Sequence, residues 1–235
     1  MTEAQRFAEL VVDVGLNVQE GQDVEVRAEL GTEEPVRAIA ERLYAKGARY
    51  VDVWWWDPLL KRVRLLHARE ETLDYVPPEY GARLTRLVEE GGGWILLQSN
   101  SHPNALDGID PGRAGRDMLP RLKEIPAVTL GRKLNWCIAP WPAPGWARQV
   151  HPELEPAAAF ERLRAELFHV CRLDEPDPAD AWRRRCDELS QIARRLTERR
   201  FDAVRYTGPG TDLTIGLLPS GTWDVAVFDT VRGVR

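Results

Sequence analysis

"DVEVRAELGTEEPVRAIAERLYAKGARYVDVWWW", residues 23–56, decides the fold. Its first eight residues, Asp23 to Leu30, alternate as a strand does. Thr32 is placed to cap a helix carrying Val36, Ile39, Ala40 and Leu43 on one face, and Gly47 ends it. Arg49 to Trp56 is a second strand, rich in β-branched and aromatic residues. Strand, helix and strand joined by such short connections predict a right-handed βαβ unit and a parallel sheet.

The pattern extends in both directions. Upstream, Phe7, Leu10, Val11 and Val14 repeat at helical spacing, with Gly15 as the expected stop. Downstream, Tyr80, Leu84, Leu87 and Val88 predict a helix closed by Gly91, Gly92 and Gly93. "WILLQS" (Trp94 to Ser99) is apolar enough to be buried on both faces. Asp110 and Pro111 pair as cap and first turn of a helix around Met118 to Leu122. "LNWCIAP" (Leu134 to Pro140) reads as a fourth strand, and Trp141 to Pro152 as a proline-broken loop. Two helices follow. One carries Phe160, Leu163, Leu167 and Val170; the other opens at Asp177-Pro178 and carries Trp182, Cys186, Leu189, Ala193 and Leu196. "FDAVRYTG" and "TDLTIGLL" then read as strands that resume the sheet or begin a new one. The expected fold is α/β, a largely parallel sheet flanked by helices. Residues 1–200 form one domain, and 201–235 form a short β segment leading towards a domain beyond this chain.

Composition narrows the function classes. The 235 residues are 43% hydrophobic and 29% charged, as in a globular protein with a full core. A net charge of -5 argues against a nucleic-acid binder. Cys137, Cys171 and Cys186 have neither CxxC spacing nor an even count, which suits a reducing cytoplasm. The start lacks the basic and apolar regions of a signal peptide, and no apolar run approaches the ~20 residues of a membrane span. The expectation is a cytoplasmic protein that meets neither nucleic acid nor membrane.

Local motifs for chemistry are scarce. His67, His102, His151 and His169 form no HExxH and no pair at i, i+4, so a local zinc helix is absent. Ser99 and Ser101 follow an apolar strand with His102 adjacent, yet no G-x-S-x-G elbow surrounds either serine. Of Trp54, Trp55 and Trp56, alternate residues must face opposite sides of a strand. Gly208-Pro209-Gly210 is followed by Thr211, Asp212 and Leu213, which fits neither G-x-G-x-x-G nor a Walker loop; a tight turn between strands fits better.

Several segments taken in order carry a resemblance. "LNWCIAPWPAPGWARQVHP" (134–152), "DPADAWRRR" (177–185), "RRFDAV" (199–204) and "TGPGTDLTIGLLPSGTW" (207–223) resemble the N-terminal domain of the M29 family of metalloaminopeptidases. "ELVVDVGLNVQEGQDVEV" (9–26) and "ERLYAKGARYVDV" (41–53) are similar to its opening. The positions that carry the match are Asn135, Trp136, Pro144, Gly145, Trp146, Gly208, Pro209, Gly210 and Asp212, which the resemblance marks as structural. It implies cytoplasmic, homodimeric enzymes that release N-terminal amino acids from peptides with two divalent metal ions, zinc or cobalt. It also implies that the ligands are glutamates, histidines and an aspartate of the C-terminal domain. No catalytic, cofactor or metal residue therefore carries over to this chain, which is expected to be inactive alone. "DVAVFDTVRGVR" (224–235) departs from the glycine-rich continuation expected of the family, leaving a truncation, a split gene or a frameshift open. Two other readings stand beside this one: a non-catalytic α/β interaction or dimerisation module, and a nucleotide-binding protein by fold analogy alone.

Overall fold

Asp23–Glu29 (β1) lies inside a four-stranded parallel sheet, between Tyr50–Trp56 (β2) on one side and Gly93–Gln98 (β3) on the other. Asn135–Pro140 (β4) completes the order β2-β1-β3-β4. The computed structural model describes residues 1–119, 122–225 and 227–235. The chain divides into two compact units: Met1–Ala179 together with Asp229–Arg235, and Asp180–Phe228.

In the first unit the sheet has two unlike faces. Val24, Val26 and Ala28 alternate with Glu25, Arg27 and Glu29 along β1, so one face is aliphatic and the other carries charge. Helix Glu3–Leu10 (α1), with its π-helical continuation Val11–Leu16, packs with Glu33–Ala45 (α2). That continuation also meets β3 and β4, and Phe7, Val12, Ile39 and Leu43 are almost fully buried. After β2 come Pro58–His67 (α3) and Pro78–Glu89 (α4). Pro111–Arg116 (α5) and Ile125–Thr129 (α6) follow β3. Leu84 and Leu87 of α4 cluster with Trp94, Leu122, Val128 and Leu134. Pro144–Val150 (α7) and Pro156–Val170 (α8) make a further small core of Ala147, Ala159 and Leu163.

Pro178–Arg199 (α9) runs from the end of the first unit into the second. There Ala203–Gly208 (β5) and Thr211–Gly216 (β6) pair antiparallel as a separate two-stranded sheet. The expected α/β class, parallel sheet and C-terminal β segment are all present.

Several local expectations need correction. Gly15 does not end the first helix; it lies inside the π-helical turn, where an added Cβ would sit 2.5 Å from Cys137 Sγ. Asn17 (φ 51°) ends that helix instead. Thr32 does not cap α2 with its side chain, because its hydroxyl donates to the Glu29 carbonyl at 2.6 Å. The proline-broken stretch after Trp141 contains α7, since Pro144 occupies the first turn, where its missing N–H costs nothing. Helix α3 is an addition to the periodicity reading, signalled by the Asp57 cap and Pro58. Asp110 caps a helix as expected, accepting from the Arg113 amide at 2.9 Å, but that helix ends at Arg116. The expected continuation through Leu122 includes Pro120 and Arg121, which lie outside the described residues.

Candidate functional site at the carboxyl edge of the sheet

The chain leaves β1 towards β2 on one side, then returns to lay β3 on the other. Open α/β sheets hold ligands at the carboxyl ends of their strands, where the order reverses in this way. An open cleft of about 820 Å³ lies there, lined by the ends of β1, β2 and β3, by α3 and by the loops after β3.

At the end of β1 the Glu29 carboxylate is enclosed by the loop that follows β3. Ser99 Oγ donates to it at 3.0 Å, the Asn100 amide at 3.2 Å, and Ser101 through both its amide (2.8 Å) and its hydroxyl (2.6 Å). Asn100, at φ 48°, makes the left-handed turn that brings these donors round the carboxylate. His102 Nδ1 lies 3.0 Å from Ser101 Oγ. One hydroxyl has one proton. With it given to Glu29, the serine can only accept from His102, so histidine does not act as a base towards it. A hydrolytic triad needs the imidazole between carboxylate and hydroxyl, and here the hydroxyl stands in the middle.

Further back on the same face, Arg27 is buried with Glu25, Nε to Oε1 2.5 Å. Burial lowers the Arg27 pKa and Glu25 opposes the shift, so the guanidinium remains a cation. Its central carbon lies 4.4 Å from the Trp54 ring centroid and 5.1 Å from that of Trp94. Register explains this: Arg27 pairs with Trp54 across β1–β2, and Trp94 pairs with Glu25 across β1–β3. On the far wall Asp117 is buried, with Lys61 Nζ 3.7 Å from its Oδ2. Lys61 donates to the carbonyls of Asp117 (2.9 Å) and Leu119 (2.6 Å). Asp117 Oδ2 and Trp94 Nε1 are buried and have no hydrogen-bond partner among the described residues.

The positions singled out from the family motifs lie elsewhere. Asn135 opens β4 at the opposite edge of the sheet, accepting from Gln22 (2.9 Å) and donating to the Leu16 carbonyl (2.8 Å). Trp136 packs on the cluster around Trp94. Pro144 starts α7, Trp146 packs on the α7–α8 core, and Gly145 meets the loop after β3: an added Cβ there would lie 1.9 Å from the Ser101 carbonyl oxygen. Pro209 and Gly210 (φ 74°) join β5 to β6 with the residues of a type II turn. Gly208 pairs with Thr211, and Asp212 holds Arg205 through two 2.8 Å bonds. A phosphate loop is thereby excluded.

Sequence reading missed Arg27, Glu29, Lys61 and Asp117. The available signal was Glu25, Arg27 and Glu29 alternating along an apolar strand, because charge on an inner strand needs partners or a ligand.

Metal ligands are a separate matter. His151 Nε2 pairs with Glu166 at 2.9 Å, His169 Nδ1 with Asp174 at 2.6 Å, and His67 is exposed at the end of α3. Among the described residues no three His, Cys, Asp or Glu side chains gather to hold an ion. The described residues of this chain do not fit a two-metal centre.

A sequence model of the thermophilic metalloproteases, M29, matches residues 1–234. The chain belongs to the M29 family. The match continues past Trp223 as far as Val234, so residues 224–234 lie inside the family pattern, contrary to the departure expected from the resemblance. Aminopeptidase T of Thermus thermophilus is 36% identical over 232 residues, 97% of this chain and 57% of that protein. Aminopeptidase PepS of Streptococcus thermophilus is 33% identical over 97% of this chain and 56% of that protein. The solved structure of wild-type AmpT from Thermus thermophilus superimposes with a TM-score of 0.85 at 33% identity, over 98% of this chain and 57% of that one. This M29 chain thus spans little more than half the length of the relatives it matches. Among the described residues no helix is long and apolar enough to cross a membrane.

Proposed function

We propose that this chain is the N-terminal α/β portion of a cytoplasmic, homodimeric two-metal aminopeptidase that releases N-terminal amino acids from peptides. Its metal pair, zinc or cobalt, is held by residues outside this chain, so the chain by itself has no peptidase activity. The supporting observation is the likeness to AmpT, which runs through 98% of this chain but 57% of that one. Among the described residues the donor sets give no competing place for the ions. We assign residues 1–200 to the α/β domain and 201–235 to the segment leading into the metal-binding part, with the nine motif positions serving the fold.

The test incubates the purified 235-residue chain with zinc or cobalt and leucine p-nitroanilide, and measures bound metal in parallel by equilibrium dialysis. The expected result is neither p-nitroaniline release nor stoichiometric metal. Release dependent on the added metal would overturn the assignment of the ligands to another part of the protein.

A further inference from the structure

Arg27 lines the cleft with its charge paired to Glu25 but only part of its guanidinium hydrogen-bonded by the described residues. It is 5% exposed, its Nε is anchored by Glu25, and its guanidinium plane is fixed against Trp54 and Trp94. The two terminal nitrogens make no hydrogen bond to any described residue. A guanidinium has five donors, and these terminal nitrogens are not among the enclosed unpartnered atoms of the described residues, so they open to the cleft, where a ligand can reach them. Trp94 Nε1, also on this wall and buried, has no acceptor among the described residues. The donors available at this wall of the cleft are therefore those of the Arg27 guanidinium.

We propose that this cleft binds a small organic monocarboxylate with an apolar body, its carboxylate accepting from the terminal N–H groups of Arg27. A fixed guanidinium fork matches a planar carboxylate in a bidentate pair. Glu29 and Asp117 line the same space and offset the charges of Arg27 and Lys61, so the cleft holds no surplus of positive charge to favour a phosphate dianion over a monoanion. Trp56, Leu96, Met118 and Ile125 supply an apolar wall for the body of the ligand. The volume is within the range of about 300–1,000 Å³ usual for small-molecule sites, and the position is the reversal point of the sheet. The inference is independent of the peptidase reading, since every group it uses belongs to this chain.

Isothermal titration of the full 235-residue chain with N-acetyl-phenylalanine, its amide and inorganic phosphate tests the site. The acid binds saturably, one per chain, and the amide binds about tenfold more weakly or worse, the worth of one charge-assisted pair. Arg27→Lys keeps the charge, loses the fork and weakens the acid about tenfold. Met118→Glu alters an exposed wall residue and serves where Arg27→Lys fails to fold. It weakens the acid several-fold with an unchanged circular dichroism spectrum. Equal binding of acid and amide, tighter binding of phosphate, undiminished binding to a folded Arg27→Lys, or no saturable heat at millimolar acid would each overturn the proposal.

Discussion

Ser101 holds Glu29 twice, through its amide at 2.8 Å and its hydroxyl at 2.6 Å, and so ties the loop after β3 to the end of β1. Ser99, fully buried, adds a third donor to the same carboxylate. Glu29→Gln turns one acceptor oxygen into a donor facing these groups. The cost is that of hydrogen bonds to a charged acceptor, about 1.5–3 kcal/mol, with about 1 kcal/mol for Ser101→Ala. In a chain of this size each kcal/mol lowers the melting temperature by about 2–4 °C. Thermal unfolding followed by circular dichroism checks the order Glu29→Gln below Ser101→Ala below wild type. Equal melting of all three would remove the carboxylate as the anchor of this loop.

Two glycines should answer oppositely to alanine. At Gly145 an added Cβ meets the Ser101 carbonyl oxygen at 1.9 Å, and a backbone atom cannot swing aside. Gly145→Ala therefore forces α7 away from the loop and costs about 2 kcal/mol or more. At Gly115, inside α5, nothing lies within 4 Å of an added Cβ. Gly115→Ala gains helix propensity and stabilises by about 0.5–1 kcal/mol. Urea midpoints on the two variants read the contrast directly.

The same pair of positions marks what a sequence can and cannot disclose. The parallel sheet was legible because β1, α2 and β2 each carry a local period. Gly145 has no such period: its role is set by Ser101, 44 residues earlier in the chain, and only the folded approach of α7 reveals it. Helix α7 was hidden for a related reason, since three prolines in 12 residues mask a short helix that begins on one of them. The cleft was half visible, as tryptophans and charges on alternate positions of β1 and β2. Its far wall at Lys61 and Asp117 comes from α3 and from the end of α5, two elements with weak apolar periodicity.

Asp13 makes stability depend on acid pH. It accepts from Arg42 Nε at 2.9 Å, and Lys46 Nζ lies 3.5 Å away. Burial pushes its pKa up, but the hydrogen bond and charge of Arg42, joined by Lys46, outweigh this and hold it below the usual 3.8. A carboxyl depressed in the folded state contributes its stability above the unfolded pKa and loses it as pH falls through the folded value. Asp13→Asn should thus cost about 1 kcal/mol at neutral pH, allowing for solvent screening. The gap to wild type should close as the pH falls below the ordinary carboxylate range. A gap of constant size in urea melts across that range would show that Asp13 acts through shape rather than charge.

Hairpin β5–β6 is polar on one face and apolar on the other. Register and alternation put Arg205 and Asp212 on the first, and Val204, Tyr206, Leu213 and Ile215 on the second. Tyr206, Leu213 and Ile215 remain 52%, 50% and 45% exposed. A two-stranded hairpin is marginal by itself in water, and an apolar face with open edges invites pairing with another chain. The 235-residue chain is therefore expected to self-associate with rising concentration in sedimentation experiments. Leu213→Thr combined with Ile215→Thr places β-branched residues at both strand positions, removes apolar surface and shifts the equilibrium to monomer. Thr214→Lys, on the opposite face, leaves it unchanged. Self-association undiminished in the double variant would place the contact elsewhere on the molecule, and a wild-type chain monomeric at every concentration would show that this face is stable in water as it stands.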